Sequence, residues 1–269
     1  MPRISLALDT PDLAEHYERA SAERQFKVGQ ALVVALGIKP GDRVLDIGAG
    51  TGLLARYVAE LVGPNGRVEG IDPLALRIAI AKQKGVPNAG FRVGTADNLS
   101  GFAAASFQAA YLNAVFHWLP EKLEPLRQIA RVLVSNGRLG ISTASRDHRG
   151  ALQEIKAKVL AREPFSRFRQ ADDEGLAYAV TASELEDLLK QTGFAIARLD
   201  IVPNENFLPD GDTAIRFSEA SSFGNFLGHL PEAIRPEARA AITAELEALR
   251  TPEGIPLRNA RIVAIATKA

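Results

Sequence analysis

Three glycines at alternate positions constrain this chain more than any other feature of its sequence. Gly48, Gly50 and Gly52 directly follow the short apolar run 44–47. Glycine adopts positive φ without a steric penalty, and its missing Cβ lets a ligand come close to the backbone. Residues 53–62 then show a helical pattern that a Gly-Pro pair ends. The segment therefore predicts a strand, a tight glycine turn and a helix, the unit that holds a nucleotide-like ligand at the carboxyl end of a strand.

The spacing of these glycines bears on which ligand the turn can hold. A dinucleotide-binding turn has the pattern G-x-G-x-x-G, whereas this chain has G-x-G-x-G, and Leu53 occupies the place of the third glycine. Asp46 also lies two residues before the first glycine, where a carboxylate repels phosphate and suits an ammonium group. A ligand with a positive amino group and no phosphate is favoured, and a nicotinamide-dependent oxidoreductase is the less favoured alternative.

Predicted strands and helices alternate along the rest of the chain, which indicates a parallel sheet with right-handed crossovers. After the first strand, apolar runs predict strands at 67–72, 91–94, 107–112, 138–143, 194–202 and 261–267. Asn136-Gly137 is interpreted as the turn before the strand at 138–143. Asp72 lies at the tip of the second strand, 20 residues after Gly52. An acid at this position is placed to accept hydrogen bonds from ribose hydroxyls.

Helical segments outside this alternation predict a cover over the sheet. We expect one domain over residues 1–269, with residues 1–40 as an N-terminal helical lid. The stretches 145–180 and 203–257 interrupt the alternation and are interpreted as cap insertions. Thr181, with a glutamate three residues later, has the form of a capping box at the start of a helix.

The composition limits the classes of partner. The 32 Lys and Arg residues balance the 32 Asp and Glu residues, so no basic excess indicates nucleic acid. The chain has no cysteine, which excludes disulfides, thiolate metal sites and cysteine nucleophiles. The four histidines show no ligand spacing, so no metal site is expected. No run approaches the roughly 18 apolar residues of a membrane span, and a cytoplasmic protein with no membrane partner is expected.

The glycine turn with Asp46, the acid Asp72 and the segment Ala96-Asp97-Asn98 occur in the order typical of one family. They resemble the class I S-adenosylmethionine-dependent methyltransferases, in particular the small-molecule type 11 group that includes enzymes of ubiquinone and menaquinone biosynthesis. The resemblance covers roughly residues 25–202. It implies an α/β fold, a Rossmann-like doubly wound sheet of seven strands in the order 3-2-1-4-5-7-6, whose last strand is antiparallel, with a helical cap.

The resemblance also implies the cofactor S-adenosylmethionine, the product S-adenosylhomocysteine and a set of binding residues. The glycine backbone would contact the methionine part and the ribose, and Asp46 would act on the amino group. Asp72 would hold the ribose hydroxyls, Leu74 would pack on the adenine, and Asp97 would accept from its amino group. The implied cofactor-binding residues are Asp46, Gly48, Ala49, Gly50, Gly52, Asp72, Pro73, Leu74, Ala96, Asp97, Asn98 and Asn113.

Candidate residues for the acceptor follow the fourth strand or belong to the lid and the cap. His117 is predicted as the catalytic base and as a substrate contact, because histidine titrates near neutral pH; alternatively, it packs with Trp118 at the start of the next helix. Tyr17 and Phe26 of the lid and Phe223 of the second insertion are the other predicted substrate-binding residues. Simple packing within the lid and the cap is the alternative for all three.

The expected reaction is methyl transfer to O, N or C of a small-molecule acceptor, by a monomer or a homodimer. The sulfonium methyl is already activated, so the protein mainly has to orient the acceptor, and a base is needed only when the acceptor must lose a proton. Arsenite methyltransferases share part of the pattern, but their thiol chemistry requires cysteine. A cofactor-binding protein without catalysis is the other alternative, because Gln108 stands where many relatives have an acid.

Overall fold

A seven-stranded sheet forms the centre of the computed structural model, which describes residues 5–18, 22–168 and 178–269. Its strands are β1 (Arg43–Ile47), β2 (Arg67–Asp72), β3 (Ala89–Val93), β4 (Phe107–Asn113), β5 (Leu133–Ala144), β6 (Phe194–Leu208) and β7 (Ile255–Lys268). The order across the sheet is β3-β2-β1-β4-β5-β7-β6. The first five strands pair in parallel, and β7 is antiparallel to both of its neighbours. The predicted fold, strand order and antiparallel last strand are confirmed.

Helices cover both faces of the sheet. In the described ranges they are α1 (Pro11–His16), α2 (Ala22–Leu36), α3 (Leu53–Val62), α4 (Ala75–Gln83), α5 (Leu123–Val132), α6 (Ala151–Leu160), α7 (Ala182–Gln191), α8 (Gly211–Ser221) and α9 (Arg235–Glu247). Side chains of β4 alternate between the two layers, so that Leu112 packs with α5 and α7 while Tyr111 packs with α2 and α3. Burial on both faces explains why the central strands are almost continuously apolar.

The cap has a hydrophobic cluster of its own. It joins α6, α8 and α9 with the far ends of β6 and β7, and includes Leu160, Ile215, Ile242 and Ile255. A segment between α8 and α9 contributes Phe226, which is buried in the same cluster. The two insertions therefore pack against each other beside the sheet.

Strands β6 and β7 are longer than predicted, which corrects the bounds of the second insertion. Residues 203–208 continue β6 and residues 255–260 begin β7, and these two extensions pair from Pro203↔Ala260 to Leu208↔Ile255. They form a two-stranded ribbon that carries the cap. A proline is tolerated there because β6 is the edge strand, where a missing N–H need not remove a ladder hydrogen bond.

The predicted turn at Asn136-Gly137 is wrong. Both residues lie inside β5, where Asn136 has φ +58° and the pairing with β4 shifts register between Phe107 and Ala109. The extra residues form a bulge in the strand, not a connection between elements.

The predicted helix start at Thr181 is confirmed. The capping box of Thr181 and Glu184 is present at the start of α7. Helix α5 begins at Leu123, and the Glu121 carboxylate accepts from the Leu123 amide there. Part of the first insertion, residues 169–177, lies outside the described residues. Within the described ranges, every helix is too short or too polar to cross a membrane.

Candidate active site

The carboxyl ends of β1, β2 and β4 open into a cavity of about 520 Å³. A second cavity of about 30 Å³ adjoins it. Tyr17, Gln25, Gly48 and Asn113 line both cavities. The cavities lie where the strand order reverses between β1 and β4, the place where open α/β sheets bind their ligands.

The turn between β1 and α3 requires glycine because its backbone has positive φ and because an added Cβ would clash with neighbouring side chains. All three glycines have positive φ, namely +77° at Gly48, +53° at Gly50 and +78° at Gly52. A Cβ at Gly48 would lie 2.2 Å from Cγ2 of Val115, beside the large cavity, whereas a Cβ at Gly52 would lie 2.9 Å from Cβ of Ala81. Gly48 and Gly50 line the large cavity. The cofactor contact predicted for Gly52 stays a prediction, since its position serves the packing of α3.

Asp72 connects the glycine turn to the end of β2. Its carboxylate accepts from the backbone N–H of Gly50 at 2.9 Å and from that of Leu74 at 2.9 Å. Burial raises the pKa of this carboxyl, while both backbone hydrogen bonds lower it. Each carboxylate oxygen can still accept a further hydrogen bond. The side chain lines the large cavity, so it can bind a pair of hydroxyl groups there.

Two buried acceptors face the small cavity. Asp46 accepts from the Tyr111 hydroxyl at 2.7 Å, and burial is the main reason that its pKa is raised to about 7. Asn113 donates to the Gln25 carbonyl at 3.0 Å, which leaves its Oδ1 buried without a partner among the described residues. An unsatisfied acceptor beside a carboxyl group suits a ligand with several N–H donors and a positive charge.

Most of the remaining predicted cofactor residues also line the cavities. Pro73, Leu74, Ala96 and Asp97 line it, and Ala49 lines the small cavity. Asn98 is different, because its side chain accepts from the amide and hydroxyl of Ser100 in an exposed turn. A cofactor contact of Asn98 therefore finds no support in its position.

Aromatic side chains form a further wall of the cavities. The rings of Trp118 and Phe223 have their centroids 5.1 Å apart, and both residues line the large cavity. Tyr17 lies on both cavities, and burial is the main reason that its pKa is raised to about 12. Phe26 lines only the small cavity and packs edge-on against Tyr57. The three aromatic residues predicted to bind substrate all reach a cavity.

His117 does not line either cavity. The Ala144 amide donates to its Nδ1 at 3.3 Å, which assigns the proton of the neutral ring to Nε2, and the Thr143 hydroxyl lies 3.1 Å from the same nitrogen. Burial, with the positive charges of Lys122 and Arg261, lowers the pKa of this imidazole to about 3. The role as a base stays a prediction, and these surroundings favour the alternative of packing with Trp118.

Several lining residues have no counterpart among the predictions. Arg77 lies in the first turn of α4, directly after β2, and Trp118 lies in the turn after β4, so a search of the segments that follow these strands would have found both. Gln25 and Ser221 come from α2 and α8, and no local pattern marks them. In contrast, Gln108 accepts from the Arg43 amide at the opposite end of β1, away from the cavity.

The described residues hold no group of three or more His, Cys, Asp or Glu side chains arranged to bind a metal ion. The side chains that line the cavities include carboxyl, amide, hydroxyl, guanidinium and aromatic groups.

Comparison with known proteins identifies the family of this chain. The family described as "Methyltransferase domain" matches residues 15–199. An arsenite methyltransferase of Aquipseudomonas alcaligenes is 30% identical over 199 residues, which cover 70% of this chain and 53% of that protein. A trans-aconitate 2-methyltransferase of Deinococcus radiodurans is 26% identical over 238 residues, which cover 86% of this chain and 88% of that protein. The chain thus spans about half the length of the arsenite methyltransferases that it matches.

Among solved structures, the YcgJ protein of Bacillus subtilis superposes with a TM-score of 0.56. The superposition covers 91% of this chain and 98% of that protein, at 20% sequence identity. At this level of identity the likeness concerns the fold.

Proposed function

Because the chain belongs to the methyltransferase-domain family, whose methyl donor is S-adenosylmethionine, we propose that it transfers this methyl group to a small, largely apolar organic acceptor. The observation that carries the proposal is that the two adjoining cavities together have two chemically unlike ends. The end at the glycine turn offers carboxyl and amide acceptors, and the other end is aromatic. The first end fits the cofactor, and the second is left for the acceptor.

The residues of the first end match the groups of the cofactor. Asp46 and Asn113 would hold its ammonium group in the small cavity, and Asp72 would accept from its ribose hydroxyls. Leu74 and Asp97 would contact the adenine. When bound, the cofactor supplies a methyl group on a positively charged sulfur, which is electrophilic without further activation.

The chain's own contribution is to orient the acceptor and to exclude water. Trp118 and Phe223 give the acceptor an apolar surface, and orientation of two reactants can lower a barrier by roughly 7–11 kcal/mol. A base near pH 7 needs a pKa near 7, which neither Tyr17 nor His117 has. We therefore propose that His117 packs behind Trp118, and that the acceptor atom is nucleophilic without a proton transfer to either residue.

The names of the relatives specify different acceptors, and the composition of this chain helps to choose between these acceptors. Trivalent arsenic is a soft centre that prefers thiolate ligands, and this chain has no cysteine. An organic acceptor is therefore favoured over arsenite. The trans-aconitate methyltransferase, which this chain matches over most of its length, supports the same choice.

Two experiments test the proposal in sequence. Titration calorimetry with S-adenosylmethionine and S-adenosylhomocysteine tests the cofactor. Transfer of radiolabelled methyl groups to a panel of naphthoquinols, phenols, carboxylic acids that include trans-aconitate, and arsenite tests the acceptor. We expect binding of both cofactor forms and transfer to one of the largely apolar organic compounds of the panel. Transfer to arsenite alone would contradict the acceptor class, and binding without transfer to any compound would favour the non-catalytic alternative.

The buried carboxyl of Asp46 should make cofactor binding depend on pH. Its pKa of about 7 means that the free protein holds this group protonated at lower pH, while an ammonium group requires the carboxylate. Affinity should therefore fall by up to about tenfold for each pH unit below 7. Calorimetry with S-adenosylhomocysteine between about pH 5.5 and about pH 8 measures this slope.

Asp46→Asn is the control for this slope, since it keeps the shape and removes the titrating group. In that variant the affinity should be weak and nearly independent of pH over the same range. The folded-state pKa lies above the unfolded value of 3.8, so the carboxyl costs stability increasingly as pH rises from about 4 to 7. The variant should consequently be more stable than the natural protein at pH 8. An unchanged pH slope in Asp46→Asn would assign the titration to another group.

A further inference from the structure

Arg77 is a buried cation at the edge of the large cavity that the proposed chemistry does not use. It lies on α4 with 2% of its surface exposed, and its guanidinium forms two hydrogen bonds with the carboxylate of Asp9, at 3.1 and 3.3 Å. Nη2 also donates to the Ala220 carbonyl at 2.8 Å. The guanidinium stacks 4.2 Å from the ring centroid of Tyr17 and 4.8 Å from that of Phe223. One side chain thus joins the N-terminal segment, α4 and the end of α8.

The segments that Arg77 joins contact two different parts of the cavity lining. The Tyr17 ring lies against Gly50 of the glycine turn, at the end that fits the cofactor. Phe223 contacts Trp118 at the aromatic end. Asn225 adds a second connection between the two segments, because its side chain accepts from the Ser5 amide and donates to the Ser5 carbonyl. The aromatic wall and the N-terminal segment are therefore linked through two side chains, Arg77 and Asn225.

The chemistry of this contact requires arginine. A guanidinium is planar, so it can stack between two rings and still bind a carboxylate with two parallel hydrogen bonds, and a lysine ammonium cannot do both. Burying the pair is costly unless its hydrogen bonds are satisfied, as they are here. Phe223 has φ +56°, a conformation unfavourable for a non-glycine residue that the surroundings must hold in place.

We propose that Arg77 is a positioning residue that couples the two ends of the cavity. A ligand that fixes Tyr17 at the glycine turn fixes Arg77, and Arg77 fixes Phe223 and with it the wall for the acceptor. The acceptor site is then complete only when the cofactor end is filled, and by linkage the acceptor strengthens cofactor binding by the same factor. The proposal rests on the function proposed above, since it takes S-adenosylmethionine as the ligand at the glycine turn.

Hydrogen exchange of the full-length protein, with and without S-adenosylhomocysteine, tests the coupling. In the natural protein the ligand should slow exchange in residues 48–52, in 5–18 and in 211–225, the last by about tenfold. In Arg77→Lys the ligand should still slow exchange in 48–52, while the change in 211–225 should fall below about twofold. Arg216→Lys is the matched control on α8, because Arg216 is 60% exposed in its pair with Asp212, and it should behave as the natural protein.

A second variant keeps the test valid where Arg77→Lys is poorly folded. Asp9→Asn keeps Arg77 but weakens the hydrogen bonds that hold its guanidinium. This variant should lose the same ligand-dependent protection of 211–225. Equal protection of 211–225 in the natural protein and in both folded variants would overturn the coupling. So would binding by calorimetry without any protection of 211–225 in the natural protein. Absence of calorimetric binding to the natural protein would instead overturn the proposed function.

Discussion

Replacing Asp72 by asparagine should weaken the binding of S-adenosylhomocysteine by about 100-fold or more, which corresponds to about 2.7 kcal/mol. The carboxylate already accepts from the amides of Gly50 and Leu74, and in the proposed complex it also accepts from the ribose. Asparagine has one acceptor oxygen, and its NH₂ group would face one of the two backbone donors. Hydrogen bonds to a charged group contribute about 1.5–3 kcal/mol each, so loss of the charge that accepts from the two ribose hydroxyls accounts for the expected size.

Asp200→Asn is the matched control for this prediction, because Asp200 lies on the edge strand β6 with a side chain that is 41% exposed. Titration calorimetry gives the affinity, and circular dichroism confirms that both variants are folded. Affinity within fivefold of the natural protein in a folded Asp72→Asn variant, a threshold of about 1 kcal/mol, would mean that the ligand does not use this carboxylate.

The central sheet could be predicted from the sequence because each of its strands carries its own signal. Apolar runs such as 107–112 are bounded by polar or glycine turns, and crossover connections leave few topologies to choose from. The same logic placed Asp72 and the glycine turn at one edge of the sheet. Local pattern and tertiary structure agree there, since both depend on short stretches of chain.

The ribbon of β6 and β7 could not be predicted in this way. Residues 203–208 are strand because residues 255–260 pair with them, and that partner lies about 50 residues away in the chain. The lining residue Ser221 could not be predicted for a similar reason, because it reaches the cavity only through the packing of the cap. The prediction of a turn at Asn136-Gly137 was wrong for a different reason, because a local sequence that is typical of a turn can also form a bulge inside a strand.

The position of His117 depends on one turn of helix. Residues Phe116, His117 and Trp118 form a 3₁₀ turn after β4, in which successive side chains point about 120° apart. Phe116 is buried in the core, His117 contacts the end of β5, and Trp118 lines the cavity. The sequence identified the correct turn, but only its backbone geometry determines which of the neighbouring rings faces the ligand.

Gly48→Ala should be among the most destabilising single changes in this chain, because two penalties act at one position. The alanine would have to adopt φ +77°, which costs about 1–2 kcal/mol. It would also lie 2.2 Å from Cγ2 of Val115, and overpacking of this kind costs roughly 1–3 kcal/mol. The free energy of unfolding, measured with urea, should fall by about 2–5 kcal/mol, the sum of the two penalties.

The two penalties can be separated with variants of the same chain. Gly85 has φ +61°, and an added Cβ would meet nothing within 4 Å. Gly85→Ala should therefore show the conformational penalty alone, about 1–2 kcal/mol. Adding Val115→Ala to Gly48→Ala removes the methyl groups that clash, and a double-mutant cycle should return a favourable interaction of at least about 1 kcal/mol. Equal losses in Gly48→Ala and Gly85→Ala would show that the clash is relieved at no cost. If the double variant regains stability but still fails to bind S-adenosylhomocysteine, then Gly48 is needed for the close approach of the ligand to the backbone as well as for packing.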